Sequence, residues 1–156
     1  MNLLLFSDSH GHTDYLQALM ARIYTVSRPD AILFAGDGIR DAERINAECQ
    51  VYKVRGNCDH SSNAQDEQLL TFSAHRIYLS HGHLHRVKRT LDLLASAARA
   101  KDAKIAVYGH THRQGLELVN TVYCINPGAL INREYALLRI EEDGRILPFF
   151  YNLRDK

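Results

Sequence analysis

Five short apolar runs in this chain break off into a residue that can bind metal, and this repeated ending constrains the fold more than any other feature. The runs cover residues 3–6, 31–34, 51–54, 76–80 and 105–108. Just past them come Asp8 and His10, Asp37, Asn57, His81, and His110 with His112. Apolar runs without polar alternation suit parallel strands buried on both faces. In open α/β sheets, ligands collect outside the carboxyl ends of such strands. His110 and His112 are separated by one residue, as are Asp8 and His10, a spacing that in extended backbone puts both side chains on one side.

The chain between the runs predicts alternating helices. Thr13 is placed to cap a helix whose buried face holds Leu16, Leu19, Met20, Ile23 and Val26. Residues 40–48 read as a short polar helix, and the polar stretch 60–66 as a mobile loop. Residues 67–73 and 75–80 read as paired strands, and 88–102, with Leu91, Leu94, Ala95 and Ala98, as a second large amphipathic helix. Beyond His112 the pattern turns to short strands at 114–119, 121–125, 135–141 and 145–151, the last two joined by an Asp143-Gly144 hairpin turn. The first half is therefore strand and helix in alternation and the second half a meander, with one domain expected over 1–156.

Composition narrows the class. A chain of 156 residues buries roughly two thirds of its unfolded surface around one core. With 19 Lys+Arg against 18 Asp+Glu and a net charge of +1, no stable nucleic-acid partner is expected, since such binding rests on a basic face. Cys49, Cys58 and Cys124 are odd in number and widely spaced, which suits a reducing cytoplasm better than a disulfide framework. Four apolar residues before Ser7 are too few for a signal peptide or membrane span. The unusual count is nine histidines.

Asp8, Asp37, Asn57, His10, His81, His110 and His112 form a mixed oxygen and nitrogen donor set suited to first-row divalent metals. The set is too large for one ion. Two ions about 3.5 to 4 Å apart, bridged by a shared carboxylate, would use it and leave room for water and substrate. Two aspartates against two dications leave positive charge to ionise a bridging water and hold a phosphate, the requirements for in-line attack of hydroxide on phosphorus.

The sequence Asp8-x-His10, Gly36-Asp37, Gly56-Asn57, His81-Gly82 and Gly109-His110-Thr111-His112, in this order, resembles the signature of the calcineurin-like metallophosphoesterases. It is most similar to their small bacterial and archaeal phosphodiesterase branch, whose loop Asn126-Pro127-Gly128 also resembles. The resemblance implies an α/β (α+β) fold, a four-layer αββα sandwich of two mixed β-sheets packed face to face with helices outside. It implies two divalent ions, manganese first, with iron, zinc or nickel as alternatives. Asp8, His10 and His112 would hold the first, Asn57, His81 and His110 the second, and Asp37 would bridge. Asp37, Asn57, His81 and Cys58 are then expected nearest the chemistry. Cys58 stands where many relatives carry a histidine thought to assist the leaving oxygen, and a thiol is a poor substitute for imidazolium as an acid.

In His81-Gly82-His83 the resemblance favours His81 as ligand, which leaves His83 outside the metal positions or facing substrate; His12, His60 and His75 read as surface or loop residues. Arg40, Arg55 and Arg113 read as solvated charges, Arg113 being the best phosphate contact among them. The expected activity is hydrolysis of small phosphodiesters. A phosphomonoesterase with the same site and a metal-poor scaffold like the retromer subunit of this fold are the alternatives. No membrane partner is expected, and a homodimer through exposed faces of the later strands is allowed.

Overall fold

Alternation within the first apolar run decides the layering of the molecule. The computed structural model describes residues 1–155. In β1 (Asn2–Phe6), Leu3 and Leu5 turn to one core while Leu4 and Phe6 turn to another. The same split recurs in β2 (Ala31–Phe34), with Ala31 and Leu33 on one side and Ile32 and Phe34 on the other. Each such strand lies between two apolar layers, as an unalternating run demands.

Two five-stranded mixed sheets result. The first runs β10-β9-β1-β2-β3, where β3 is Gln50–Lys53, β9 is Glu134–Ile140 and β10 is Ile146–Asn152. The second runs β4-β5-β6-β8-β7, from Glu67–Phe72, His75–Ser80, Ile105–Val107, Val122–Pro127 and Gln114–Val119 in that spatial order. Leu3, Leu5 and Leu33 of the first sheet meet Ile77, Leu79, Ile105, Val107 and Ile125 of the second in one buried cluster. Helix α1 (Thr13–Val26) covers the outer face of the first sheet with Leu16, Leu19 and Ile23, joined by α2 (Ile39–Glu43). Helix α3 (Asp92–Ala100) covers the outer face of the second through Leu94, Ala95 and Ala98, against Tyr78, Ala106 and Cys124. Three apolar clusters separate four layers, the αββα sandwich that the resemblance implies. A buried side chain of the kind of Leu19 contributes about 1.5–3 kcal/mol here.

The structure corrects several boundaries. Thr13 does not cap α1; His12 holds the N-cap position and makes no side-chain cap bond. The helix expected over 40–48 ends at Glu43, because Ile45, Ala47 and Cys49 reach the core at two-residue, extended spacing. The helix expected over 88–102 starts at Asp92. Before it, Arg86 takes a left-handed φ of 53° and the 83–85 segment folds as a 3-10 turn on the Gly82 carbonyl. Thr121, expected in a strand, forms with Asn120 a two-residue turn in which both φ angles are positive, as a tight hairpin of right-handed twist requires. The later strands are not one meander: β7 and β8 complete the second sheet, whereas β9 returns to pair with β1 and β10 pairs with β9 at the edge of the first sheet. Segment 60–66 is tied down, since Arg55 pairs with Asp66 at 2.6 Å and donates to the Ser62 carbonyl at 3.2 Å. Among the described residues no helix is long and apolar enough to cross a membrane.

Candidate metal centre

The parallel strands end together, and the loops that leave them are bent rather than extended. Asp8, His10, Asp37, His110 and His112 all take left-handed φ angles, of 53°, 45°, 59°, 69° and 57°. Each such residue costs about 1–2 kcal/mol relative to ordinary backbone, so surrounding bonds must hold it. Asp8 N–H donates to the Gly36 carbonyl (2.9 Å) and His10 N–H to the Asp37 carbonyl (3.2 Å). Asp37 N–H donates to Asp59 Oδ2 (2.9 Å) and His110 N–H to Asp8 Oδ2 (3.1 Å). The backbone at His110 and His112 is left-handed rather than extended, so the one-sided arrangement of an extended H-x-H pair does not apply, and the split that the resemblance implies is seen instead. The two histidines serve different groups of donors.

One group is Asp8, His10 and His112, another is Asp37, His81 and His110, and a third joins His10, Asp37 and Cys58; within each, the donor atoms lie within 4.8 Å of one another. Asp8 Oδ1 is 3.0 Å from His112 Nε2 and 3.6 Å from His10 Nε2. Asp37 Oδ2 is 3.3 Å from His81 Nε2 and 3.8 Å from His10 Nε2. Asn57 Oδ1 is 3.1 Å from His81 Nε2. The structure thus brings all seven residues singled out in the sequence to one place. His83 belongs to none of these groups; its ring lies tilted, with its centroid 5.4 Å from that of His81.

Each carboxylate has one oxygen anchored and one left facing the imidazoles. Asp8 Oδ2 takes the His110 amide and lies 2.6 Å from the Ser7 hydroxyl, while Asp37 Oδ1 accepts from Cys58 N–H at 2.8 Å. His81 Nδ1 lies 2.6 Å from the Ala35 carbonyl. A carbonyl only accepts, so Nδ1 carries a proton whatever the charge of the ring, and Nε2, which faces Asp37 and Asn57, would offer an inward lone pair only in the neutral ring. Glycines are needed for this crowding. A Cβ at Gly56 would collide with Asp37 Oδ1, and one at Gly109 would lie 2.7 Å from Asp8 Oδ2.

Several supporting residues escaped the sequence reading. Asp59 accepts four backbone N–H bonds, from Asp37, Gly38, Ile39 and Gly56, at 2.8–3.0 Å. Asn126, fully buried, donates to the Gly109 carbonyl and Thr111 Oγ1 and accepts from Gly128 N–H, so the Asn-Pro-Gly loop anchors the histidine loop. Asp41 accepts from Ser9 Oγ (2.6 Å) and Gly11 N–H (2.9 Å). Only the position of Asp59 two residues after Asn57, and the Asn126 motif itself, hinted at these roles.

The donor set fits cations. Asp8 and Asp37 are 0% and 2% exposed, and among the described residues no Lys or Arg pairs with either. Buried carboxylates without a counter-charge are costly. Burial pushes the Asp37 carboxyl up, but the bond to His81 and its charge, with the Cys58 amide, hold it well below the usual carboxylate range. Burial likewise pushes His81 down, yet Asp37 and Asp8 hold it above its usual value, and His110 is pushed down to about 4 by burial and by the His81 charge. Only imidazoles, and no lysine or arginine among the described residues, face the two buried carboxylates, an arrangement that divalent ions satisfy.

Comparison with known proteins agrees with this geometry. A family model described as the calcineurin-like phosphoesterase superfamily domain matches residues 1–143. The probable metallophosphoesterase YsnB of Bacillus subtilis is 34% identical over 157 aligned positions, covering 96% of this chain and 90% of that one. A crystal structure of a predicted phosphoesterase from Streptococcus pneumoniae superposes with a TM-score of 0.78 at 25% identity, over 97% of this chain and 89% of that one. Vps29 of Entamoeba histolytica, solved with Zn²⁺, shares the fold at a TM-score of 0.68 and 21% identity, over 99% and 100% of the two chains.

Proposed function

This chain belongs to the calcineurin-like phosphoesterase superfamily, and from that premise we propose that it is a metal-dependent hydrolase of small phosphodiesters. The observation that carries the reading is the convergence of oxygen and nitrogen donors from five strand ends around two buried aspartates that no lysine or arginine neutralises. Asp8, His10 and His112 would hold one divalent ion, and Asn57, His81 and His110 a second, with Asp37 shared. Manganese suits this donor set, with iron, zinc or nickel as alternatives. Bound there, such ions would supply Lewis acidity toward the phosphoryl oxygens and make a water acidic enough to ionise near neutral pH.

The remaining work belongs to the chain. Ser7 and the His110 amide hold Asp8, and the Cys58 amide holds Asp37, so each carboxylate presents one fixed oxygen. The Ala35 carbonyl fixes a proton of His81 on Nδ1, so that the neutral ring would turn Nε2 toward the ions. At the open side Cys58 offers only a thiol, whose acidity is lowered further by burial and by Asp37. Proton delivery to a leaving oxygen is therefore weak, which favours substrates whose leaving group departs as a stable anion.

Likeness to Vps29 supports the scaffold alternative at the level of fold; retention of the full donor set weighs against it. Any self-association would use Leu116, Leu118 and Tyr123, which are exposed together on the β7–β8 hairpin. Elemental analysis of the purified protein, then reconstitution of stripped protein with each ion on a 4-nitrophenyl diester and monoester, tests the reading. Metal uptake with faster diester cleavage is expected. Faster monoester cleavage reverses the ordering, and absence of metal uptake and turnover leaves the scaffold.

A further inference from the structure

A cleft of about 900 Å³ opens beside the candidate centre on the side of His10 and Cys58, between α2 and the 60–64 segment. Its volume is that of a small-molecule site. The wall is built in advance of any ligand: Arg55 clamps Asp66 and the Ser62 carbonyl, Ser62 N–H donates to the Asp59 carbonyl, and Ser62 Oγ accepts from Ala64 N–H. Preformed walls spare the ordering cost of binding.

The charges on this lining are unequally employed. Asp41 and Asp59 are taken up by Ser9, Gly11 and the four loop amides. Among the described residues, Arg40 and Lys53 form no ion pair or side-chain hydrogen bond, against one similarly free acid, Glu43. No Phe, Tyr or Trp lines the cleft, and its rings are the imidazoles of His10 and His60. Ser61 and Asn63 add polar groups. Arg113, the arginine the sequence favoured, lies on a different depression beside Tyr108 and Glu117.

Resting on the function proposed above, we infer that this cleft receives one ester arm of the diester, and that Arg40 and Lys53 select substrates in which that arm carries a second anionic group. The substrate class is thereby narrowed to diesters of a phosphorylated, sulfonated or carboxylated small alcohol. A partly exposed cation facing an anion is worth up to about fivefold in binding, so two together give about tenfold selectivity.

The test uses the metal-reconstituted full chain and two diesters with one leaving group, 4-nitrophenyl ethyl phosphate and 4-nitrophenyl 2-sulfoethyl phosphate. The kcat/KM ratio of sulfoethyl to ethyl is expected to be about ten in the wild type at low salt and to fall toward one in Arg40→Met/Lys53→Met. A wild-type ratio near one, or a high ratio that survives the double substitution, overturns the inference. Calorimetric titration with ethyl methylphosphonate and 2-sulfoethyl methylphosphonate, which carry the same arms, reads the same preference without turnover. Loss of the sulfoethyl preference in the double variant, in a protein that cleaves neither diester, would keep the cleft assignment and reject the phosphodiesterase reading.

Discussion

Replacing Asp59 by asparagine removes one charge and no volume, so its consequences isolate the clamp that this carboxylate provides. Its Oδ1 accepts from Gly38 and Ile39, and its Oδ2 from Asp37 and Gly56, all at 2.8–3.0 Å. An amide oxygen can keep one pair of these bonds, but the amide nitrogen then meets the other pair donor to donor. Hydrogen bonds to charged groups contribute about 1.5–3 kcal/mol each. Asp59 is only partly buried, and water can re-satisfy part of what is lost, so the lower figure applies and the two bonds sum to about 3 kcal/mol. For a domain of this size that lowers Tm by about 6–12 °C. One of the lost donors is the N–H of Asp37, whose left-handed backbone (φ 59°) it helps to hold. The shared carboxylate should therefore lose its fixed position, and metal affinity should fall with stability. Urea denaturation of the stripped protein and calorimetric titration with Mn²⁺ measure the two effects. An Asp59→Asn protein within about 0.5 kcal/mol of wild type, a span ordinary for surface substitutions, and with unchanged metal affinity would refute the clamp.

Other consequences follow from the same bonds. Cys58→Ser should keep kcat within about threefold, because Asp37 is held by the backbone N–H of residue 58 and a hydroxyl can still accept from Asn57 Nδ2; complete loss of turnover with metal still bound would contradict this. Asn126→Ala forfeits three hydrogen bonds, two of them buried, and should destabilise by about 3 kcal/mol, read as a shift in urea midpoint. Asp66 is held below the ordinary carboxylate range by its bond to Arg55. Its stabilising share is therefore present above the unfolded value of about 3.9 and is lost as pH falls through the lower folded value. The gap in urea midpoint between wild type and Asp66→Asn should accordingly narrow as pH is lowered from 5 to 3, and a gap constant over that range would exclude the pair as its source.

Periodicity exposed the elements whose burial is continuous. Residues 3–6, 31–34 and 105–107 are apolar at successive positions and are buried between two layers. The boundaries misread were those where tertiary contacts, not local pattern, end an element. Arg86 in left-handed backbone delays α3, and the packing of Ile45 and Ala47 cuts α2 short. The ligand-type residues were legible because Asp, Asn and His at the ends of apolar strands are conspicuous. Their supports were not, since a buried Asn126 or a four-fold acceptor such as Asp59 reads in sequence as ordinary turn residues.

By itself the sequence determined that strands end in metal-competent groups and that helices cover the sheets, because both follow from hydrophobic period and residue chemistry along a short stretch of chain. Only the tertiary structure decided that β9 returns beside β1 with β10 at its outer edge, and which oxygen of each aspartate stays free. These outcomes rest on bonds between residues far apart along the chain, such as Ser7 beside Gly128 and the Cys58 amide on Asp37. Such bonds form only once the sheets have brought the strand ends together, so no local pattern can carry them.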